Sequence, residues 1–516
     1  MKAKTWLTGW TAITLILLGV TGTLVYRTDP YMHYHKPDTE HYYYTLDNER
    51  SQNDGIIRNF DYDAMITGSS MTENFRTSEA DVLFDRHFIK VPFSGGSYGE
   101  INRNIINALK YNPDLKTVIR CLDMNRFLNP WDETSNADGT FPEYLYDHNP
   151  FNDVEYLFNR DIVFKRSLEM LETKEKPGIT SFDEYARWQE YFTFGIHSVC
   201  PEGITDQKNE SPHLSEELKE VIRKNIEINV TSATDQYPDV EFYYFFSPYS
   251  IAWWNYYSNE GYINRQLEAE QLIAELIVPH QNIHLFSFNG RTDIITDLNN
   301  YKDTLHYGSW VNSLILKWMK EDQYRLTQEN YQEILAKEKE FFTSFDYASL
   351  NEQQDYEADN YTGALLNREL TGAVPMEVTQ NTASFTLNNA EWDGSILKCR
   401  GRLHRSSGED LAEYLIHKEY AGAMIKIHLD GRHRYLSFYG QKIRDHGRPS
   451  VYVYREDGSV ITGMTLNYTE IDNNEHHYVL ELNGAEGDVT IIFNGGYVDS
   501  TGSELSEYHF SNIELY

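Results

Sequence analysis

Two short stretches of this sequence carry the residue types that acyl chemistry needs. Gly68-Ser69-Ser70-Met71-Thr72 puts hydroxyls directly after an apolar run, and Asp303-Thr304-Leu305-His306 sets a carboxylate three positions before an imidazole. A serine hydroxyl is a weak nucleophile until a base takes its proton, and a carboxylate can hold the basic imidazole in the required tautomer. Neither stretch is specific alone. Gly95-Gly96-Ser97 also reads Gly-x-Ser, and Asp38 to His41 and Asp430 to His433 also read Asp-x-x-His. A Gly-x-Ser tripeptide is most simply a turn, so the surrounding elements must separate signal from coincidence.

Those elements alternate. Short apolar runs at 64–67, 91–93, 117–122, 240–246 and 283–286 are separated by segments at 101–111, 216–230 and 267–277 whose apolar positions recur at helical spacing. Strands alternating with helices predict an α/β fold, a three-layer, doubly wound parallel sheet, here over 61–345. Ser70 then stands at the carboxyl edge of the first strand, where open α/β sheets bind ligands. Of the Asp-x-x-His pairs, only Asp303 and His306 follow the last parallel strand and precede a helix, so they can fold back over the mouth of the first. The pair at Asp38 lies before the sheet begins, and Asp430-Gly431-Arg432-His433 reads as a hairpin turn. Residues 132–212 break the alternation and read as an insertion of short helices and loops that could cap a site.

With these residues in place, the region from Asp61 to about Glu321 resembles the SGNH (GDSL-type) hydrolase superfamily. The family's first block, Gly-Asp-Ser, is matched by Gly68-Ser69-Ser70, which gives Ser70 the nucleophile's role; the middle residue departs from Asp, as in some envelope acyl-transfer members. The second block is similar to Ser94-Gly95, whose Gly95 N–H is implied as an oxyanion donor. The third, Gly-x-Asn-Asp, is met by Leu122-Asp123-Met124-Asn125-Arg126, where Asn125 matches but the glycine and final aspartate are missing. The fifth is matched by Asp303 and His306. The resemblance implies attack by Ser70 Oγ on an acyl carbonyl, His306 taking the proton, Asp303 orienting the ring, and Ser70 N–H, Gly95 N–H and the Asn125 amide stabilising the oxyanion.

An aromatic loop, 246–257, follows the fourth strand. Tyr249 and Trp253 there, and Tyr307 beside His306, are candidates for stacking on sugar faces; packing beneath the insertion is the competing reading, because large rings usually bury themselves. Trp310 is read as packing. Three cysteines, Cys121, Cys200 and Cys399, suit neither a zinc site nor a disulfide scaffold, and no HExxH or His-rich tract occurs, so neither a metal nor a cofactor is expected.

With 45 Lys and Arg against 79 Asp and Glu, the net charge of −34 excludes electrostatic nucleic-acid binding as the main activity. The same surplus weighs mildly against an anionic teichoic-acid substrate. Lys2 and Lys4 precede an uncharged stretch from Trp6 to Tyr26. As a helix it rises about 31 Å, enough to cross a hydrocarbon core, and the lysines favour a cytoplasmic N-terminus. Residues 1–27 are therefore read as an anchor holding the rest outside the cytosol at the cell membrane, with a cleavable signal peptide as the alternative. Residues 28–60 read as a linker or surface-wrapping arm, 346–360 as a second linker, and 361–516, with its alternating runs and turn residues, as an all-β sandwich of jelly-roll, carbohydrate-binding-module type.

Anchor, SGNH-like blocks and sandwich together are similar to envelope proteins that work beside membrane-bound O-acyltransferases. The implied function is O-acyl transfer onto or off a cell-surface glycan or teichoic-acid-like polymer, with such an acyltransferase as partner. A carbohydrate O-acetyl esterase is the nearest alternative, and an inactive glycan-binding or scaffold protein is the alternative from a different class.

Overall fold

In a computed structural model of the chain, the apolar runs pair into a mostly parallel sheet. The structure describes residues 3–134, 141–147, 149–172, 177–189, 192 and 194–353, and in the last third 374–375, 385–387, 390–400, 402–403, 422–431, 433, 435–444, 449–456, 458–465, 475–482, 484–495, 497–498 and 507–515. The strands are β1 (Ala64–Thr67), β2 (Phe88–Lys90), β3 (Thr117–Leu122), β4 (Glu241–Phe246), β5 (Ile283–Ser287) and β6 (Arg325–Leu326), in the spatial order β2-β1-β3-β4-β5-β6. All pairs are parallel except β5 with β6. The order reverses between β1 and β3, and a crevice at the carboxyl ends of two such strands is where this topology places ligands.

β1 and β3 are buried at every position, as a sheet covered on both faces requires. The helices include α1 (Ala3–Thr28), α2 (Glu49–Asn59), α3 (Thr77–Phe84), α4 (Tyr98–Tyr111), α5 (Glu216–Ile226), α6 (Ile251–Asn259), α7 (Ile263–Ile277), α8 (Ser309–Lys320) and α9 (Tyr331–Ser344). α4 starts on a capping box in which the Ser97 hydroxyl accepts from Glu100 N–H and the Glu100 carboxylate accepts from Ser97 N–H.

Three expectations need correction. The strand expected at 91–93 lies earlier, at Phe88–Lys90. Pro92 has no N–H to give a ladder, and residues 91–93 instead leave as an extended loop pinned by Val91 N–H to Ile66 O at 2.9 Å and Phe93 N–H to Gly68 O at 2.8 Å. The helix expected over 216–230 ends its α-winding at Ile226 and continues as a wider turn, Glu227–Thr231. The stretch 28–60 holds α2 and the buried residues Tyr31, Tyr44 and Leu46. Its fixed point is Asp29, wholly buried, whose carboxylate accepts from the N–H groups of His33, Tyr34 and His35 and from the Tyr156 hydroxyl.

The chain divides into two units. The first is 1–192, 204–296 and 304–351; the second is 193–203, 297–303 and 352–516. Of the linker expected over 346–360, residues 346–352 include a short 3₁₀ helix, Tyr347–Glu352, and 354–360 lie outside the described residues.

The second unit has two antiparallel sheets. In chain order the longer strands of these sheets are β7 (Phe385–Leu387), β8 (Ala390–Trp392), β9 (Ile396–Arg400), β10 (Ala423–Asp430), β11 (Tyr435–Arg444), β12 (Ser450–Arg455), β13 (Val460–Thr465), β14 (Glu475–Glu481), β15 (Glu486–Asn494) and β16 (Glu507–Leu515). One sheet runs β7-β10-β15-β12-β13, the other β8-β9-β16-β11-β14. Their inward residues meet in one apolar core, where Phe438 of β11 sits 5.6 Å from Phe493 of β15 and 5.8 Å from Phe510 of β16. β16 lies inside its sheet with β9 and β11 on either side.

Candidate active site

β1 ends at Thr67, and the chain turns through Gly68 and Ser69 into a single 3₁₀ turn, Ser70–Thr72. Gly68 is required there. Its φ is +153°, and a Cβ would lie 2.6 Å from Thr72 Cγ2 and 3.1 Å from Cys121 Cβ on β3. Thr72 cannot swing away cheaply, because its hydroxyl donates to Ser69 O at 2.8 Å. Gly68→Ala is therefore expected to cost about 1–3 kcal/mol through backbone strain and overpacking. A lowered midpoint in thermal unfolding of the full chain checks this; an unchanged midpoint contradicts it.

The turn is tied down from above and below. Asn312 of α8 donates its amide to Met71 O at 3.1 Å, and Thr72 N–H returns to Ser69 O at 2.9 Å. α8 follows directly on the loop that carries His306, so one helix fixes both partners. The loop is also held by Ser250, whose N–H and hydroxyl both donate to Thr304 O, at 3.2 and 2.8 Å.

Ser70 Oγ lies 2.7 Å from His306 Nε2, across 236 positions of sequence, with both side chains half-buried. That distance is a direct hydrogen bond and the geometry a general base needs toward a hydroxyl. Asp303 belongs to the second unit and His306 to the first. The competing pair at Asp38 forms a contact of its own, His41 Nδ1 to Asp38 Oδ1 at 2.9 Å, and this hydrogen bond together with the charge of Asp38 raises the basicity of an exposed His41. Arg432 of the pair at Asp430 lies outside the described residues.

Gly95 has φ +63°, the left-handed conformation that favours glycine, and a Cβ there would meet open space. Arg50 donates Nη2 to Ser94 O at 2.8 Å, and Arg126 donates Nη2 to Gly95 O at 3.0 Å. Because a trans peptide points its N–H opposite its C=O, fixing Ser94 O fixes the direction of the Gly95 N–H. Asn125 is exposed in the 3₁₀ turn Met124–Arg126 that follows β3.

The aromatic candidates are placed differently from the sugar-stacking expectation. Tyr249, Trp253 and Tyr307 are 1, 5 and 1% exposed, so they have no free faces and act as packing. Tyr249 donates its hydroxyl to Asp123 Oδ1 at 2.9 Å, Tyr307 and Ser247 share a contact at 3.1 Å, and the Trp253 ring packs at a tilt against Tyr257 with centroids 4.3 Å apart. The ring that does reach the site is Trp188, in the insertion, edge-on to His306 with centroids 5.5 Å apart and only partly buried. The residue is held by its backbone N–H, which donates to Asn74 Oδ1 at 3.2 Å. Nothing in the sequence pattern singles it out.

Two buried carboxyls were also missed. Asp123, 3% exposed, takes the glycine position of the third block and is bonded to Ser69 and Tyr249; burial pushes its carboxyl up, and those bonds with the charges of Arg126 and His306 pull it back. Glu73, 5% exposed, lies just past the nucleophile turn against Glu49, which accepts from Ser94 N–H at 2.5 Å. Burial and the neighbouring Glu49 charge hold the Glu73 carboxyl far above its ordinary range, so at neutral pH it is a proton donor joining the nucleophile turn to the Ser94-Gly95 loop.

The sign of the resulting pH dependence follows. The folded chain keeps the Glu73 proton as pH rises above the ordinary 4.5 while the unfolded chain gives it up, so stability falls with pH. Lys90, wholly buried with Nζ donating to Glu73 O and Phe75 O, is lowered by burial to about 7, and above that pH it opposes the trend. Between pH about 4.5 and 7, Glu73→Gln should gain stability over the natural chain by up to about 1.4 kcal/mol per pH unit. Urea unfolding at a series of pH values reads this difference directly, and a flat difference contradicts the assignment.

No protein-family model matches this sequence, and no curated protein is recognisably similar to it. Among solved structures, the chain is similar to a putative platelet activating factor from Streptococcus pneumonia, at 12% identity and a TM-score of 0.28 over 53% of this chain and 90% of that one. It is also similar to a two-domain esterase active on acetylated mannans, at 9% identity and a TM-score of 0.20 over 93% and 94% of the two chains. A family 11 carbohydrate-binding module of a cellulase from Clostridium thermocellum aligns at 8% identity and a TM-score of 0.16 over 28% and 95%. Likenesses this distant carry no weight for function, which has to rest on the site itself.

Among the described residues no group of His, Cys, Asp and Glu is arranged to hold a metal ion. Cys121, Cys200 and Cys399 are free thiols.

Proposed function

We propose that this chain is a membrane-anchored, extracytoplasmic serine acyltransferase of the SGNH type that moves an acetyl or similar acyl group on a cell-surface polysaccharide. The observation that carries this reading is the 2.7 Å contact between Ser70 Oγ and His306 Nε2 at the switch point of the sheet. In the proposed cycle Ser70 Oγ bonds to the acyl carbon of a donor ester as His306 Nε2 takes the hydroxyl proton. The tetrahedral intermediate collapses with loss of the donor alcohol, which receives that proton from His306. A sugar hydroxyl then attacks acyl-Ser70, giving its proton to His306, and the free Ser70 takes the proton back as the new ester leaves. Asp303 holds the imidazole, while Gly95 N–H and the Asn125 amide face the oxyanion.

Anchoring is supported by α1 itself, 26 residues long, apolar, and almost wholly exposed over residues 3–20. A multi-span O-acyltransferase that delivers the acyl group from the cytosol is the partner this placement suits, and a carbohydrate-binding role for the sandwich suits a polymer acceptor. Incubating the full chain with an activated acetyl ester, with and without oligosaccharide, tests the reading. The expected results are an acetyl group on the Ser70 peptide by mass spectrometry and acetyl transferred to sugar. Acetate released only to water identifies an esterase instead. Absence of any Ser70 adduct, with release equal in the Ser70→Ala variant, overturns the enzymatic reading in favour of a scaffold.

A further inference from the structure

α1 is longer than its free part. Residues 3–20 are almost entirely solvent-exposed, as a lipid-facing helix is when no lipid surrounds it, whereas from residue 21 the helix packs on its own domain. Val25 and Thr28 are wholly buried, and a Cβ on Gly22 would lie 3.6 Å from the Phe158 ring. The chain then enters the Asp29 knot without an intervening flexible segment.

This sets the depth of the domain. The uncharged stretch ends at Tyr26, and Gly22 lies four residues earlier, about 6 Å toward the membrane centre along the helix axis. Whatever touches Gly22 is therefore below the level of Tyr26. The segment that touches it is 151–172, in which Tyr156, Ile162 and Val163 are buried toward Val25 and Tyr31 while Phe151, Val154, Phe158, Phe164 and Leu171 point outward. Their exposures are 88, 54, 39, 61 and 53%, a density of exposed large apolar side chains in one segment that single scattered surface residues do not reach. Charged residues intersperse it, including Lys165, paired with Asp161 at 3.2 Å. An apolar face with polar flanks, level with the last turns of a spanning helix, is the pattern of an element lying in the headgroup and acyl boundary, where such helices sink about 5–10 Å.

We propose that residues 151–172 form an interfacial membrane-binding element, with Phe158, Phe164 and Leu171 embedded in the outer-leaflet lipid beside α1. Continuity with the apolar surface of α1 at Gly22 favours lipid as the occupant over a second protein. The consequence is that the domain rides on the bilayer at a fixed height instead of on a tether.

This inference rests on α1 spanning the bilayer, and the test separates the two. The full chain carrying Cys200→Ser is placed in phosphatidylcholine–phosphatidylglycerol nanodiscs, and nitroxides are attached at Phe158→Cys, Phe164→Cys, Leu171→Cys, Ile16→Cys and, as an aqueous reference, Val82→Cys on α3, 71% exposed. Collision rates with oxygen and with a water-soluble nickel chelate are then compared. Oxygen should dominate at Phe158, Phe164 and Leu171 as it does at Ile16, with the ratio of oxygen to nickel collisions several-fold above that at Val82. Nickel-dominated collisions at all three with a lipid-like Ile16 overturn the inference and leave the anchor standing. Aqueous behaviour at Ile16 overturns the anchor itself. Low collision rates with both reagents at Phe164 and Leu171 would mean a protein surface covers them, and also overturn the proposal.

Discussion

Ser70→Ala should lower acetyl transfer from an activated ester by about 10⁶-fold, and His306→Ala by a similar factor, because nucleophile and base act as one unit. The double variant should be no worse than either single one. That non-additivity matters more than the size of the loss. Two independent contributors would multiply, whereas a serine without its base and a base without its serine are equally idle. The measurement is the turnover rate together with the amplitude of the first-turnover burst. Ser70→Ala should abolish the burst, since no acyl-enzyme can form, with the fold intact by circular dichroism. A Ser70→Ala variant that retains a tenth of the natural rate would mean that the 2.7 Å contact with His306 is incidental to any chemistry.

The contact between Ser70 and His306 was legible in the sequence because Ser70 sits where a strand ends and His306 just before a helix begins. β1 is a short apolar run ending in Thr67, and such a run followed by Gly-x-Ser locates a serine without knowledge of its partners. The elements that position the site were less legible because they are polar inside. α2 buries Gln52, Asn53 and Asp54 along with Ile56 and Ile57, and its interior is satisfied by hydrogen bonds: Gln52 to Pro30 O and Thr45 O, Asn53 to Pro92 O, and Asp54 to Arg58. A pattern search that equates burial with apolar residues reads such a helix as a linker. The same cause hid Arg50, on α2, whose guanidinium fixes Ser94 O, and Asp123, which lies within the Leu122–Arg126 stretch at the position where the SGNH-type block it resembles carries glycine. The aromatic loop misled in the opposite direction. Tyr249, Trp253 and Tyr307 stand next to the site motifs in sequence, but their rings are buried, and the ring that meets His306 is the partly buried Trp188.

Asp123 makes the assignment of the orienting acid a question that kinetics can decide. Two carboxylates are candidates for that role: Asp303, three positions before His306 in sequence, and Asp123, buried with Ser69 and Tyr249 as partners and within electrostatic reach of the imidazole. An acid that holds the imidazole tautomer is lost when its negative charge and its acceptor oxygen are replaced by an amide, and the cost in comparable sites is about 10⁴-fold in kcat. Asp303→Asn should show that loss, with KM little changed. Asp123→Asn should cost less than about tenfold, because an amide oxygen still accepts from the Tyr249 hydroxyl and the buried group it replaces is costly to ionise. Asp123→Ala, which leaves the Tyr249 hydroxyl without that acceptor, should act on stability and lower the unfolding midpoint. If Asp123→Asn loses more activity than Asp303→Asn, the roles are exchanged: the acid that orients His306 then comes from the carboxyl end of β3, and the Asp-x-x-His spacing that first drew attention to His306 located the right base beside the wrong carboxylate.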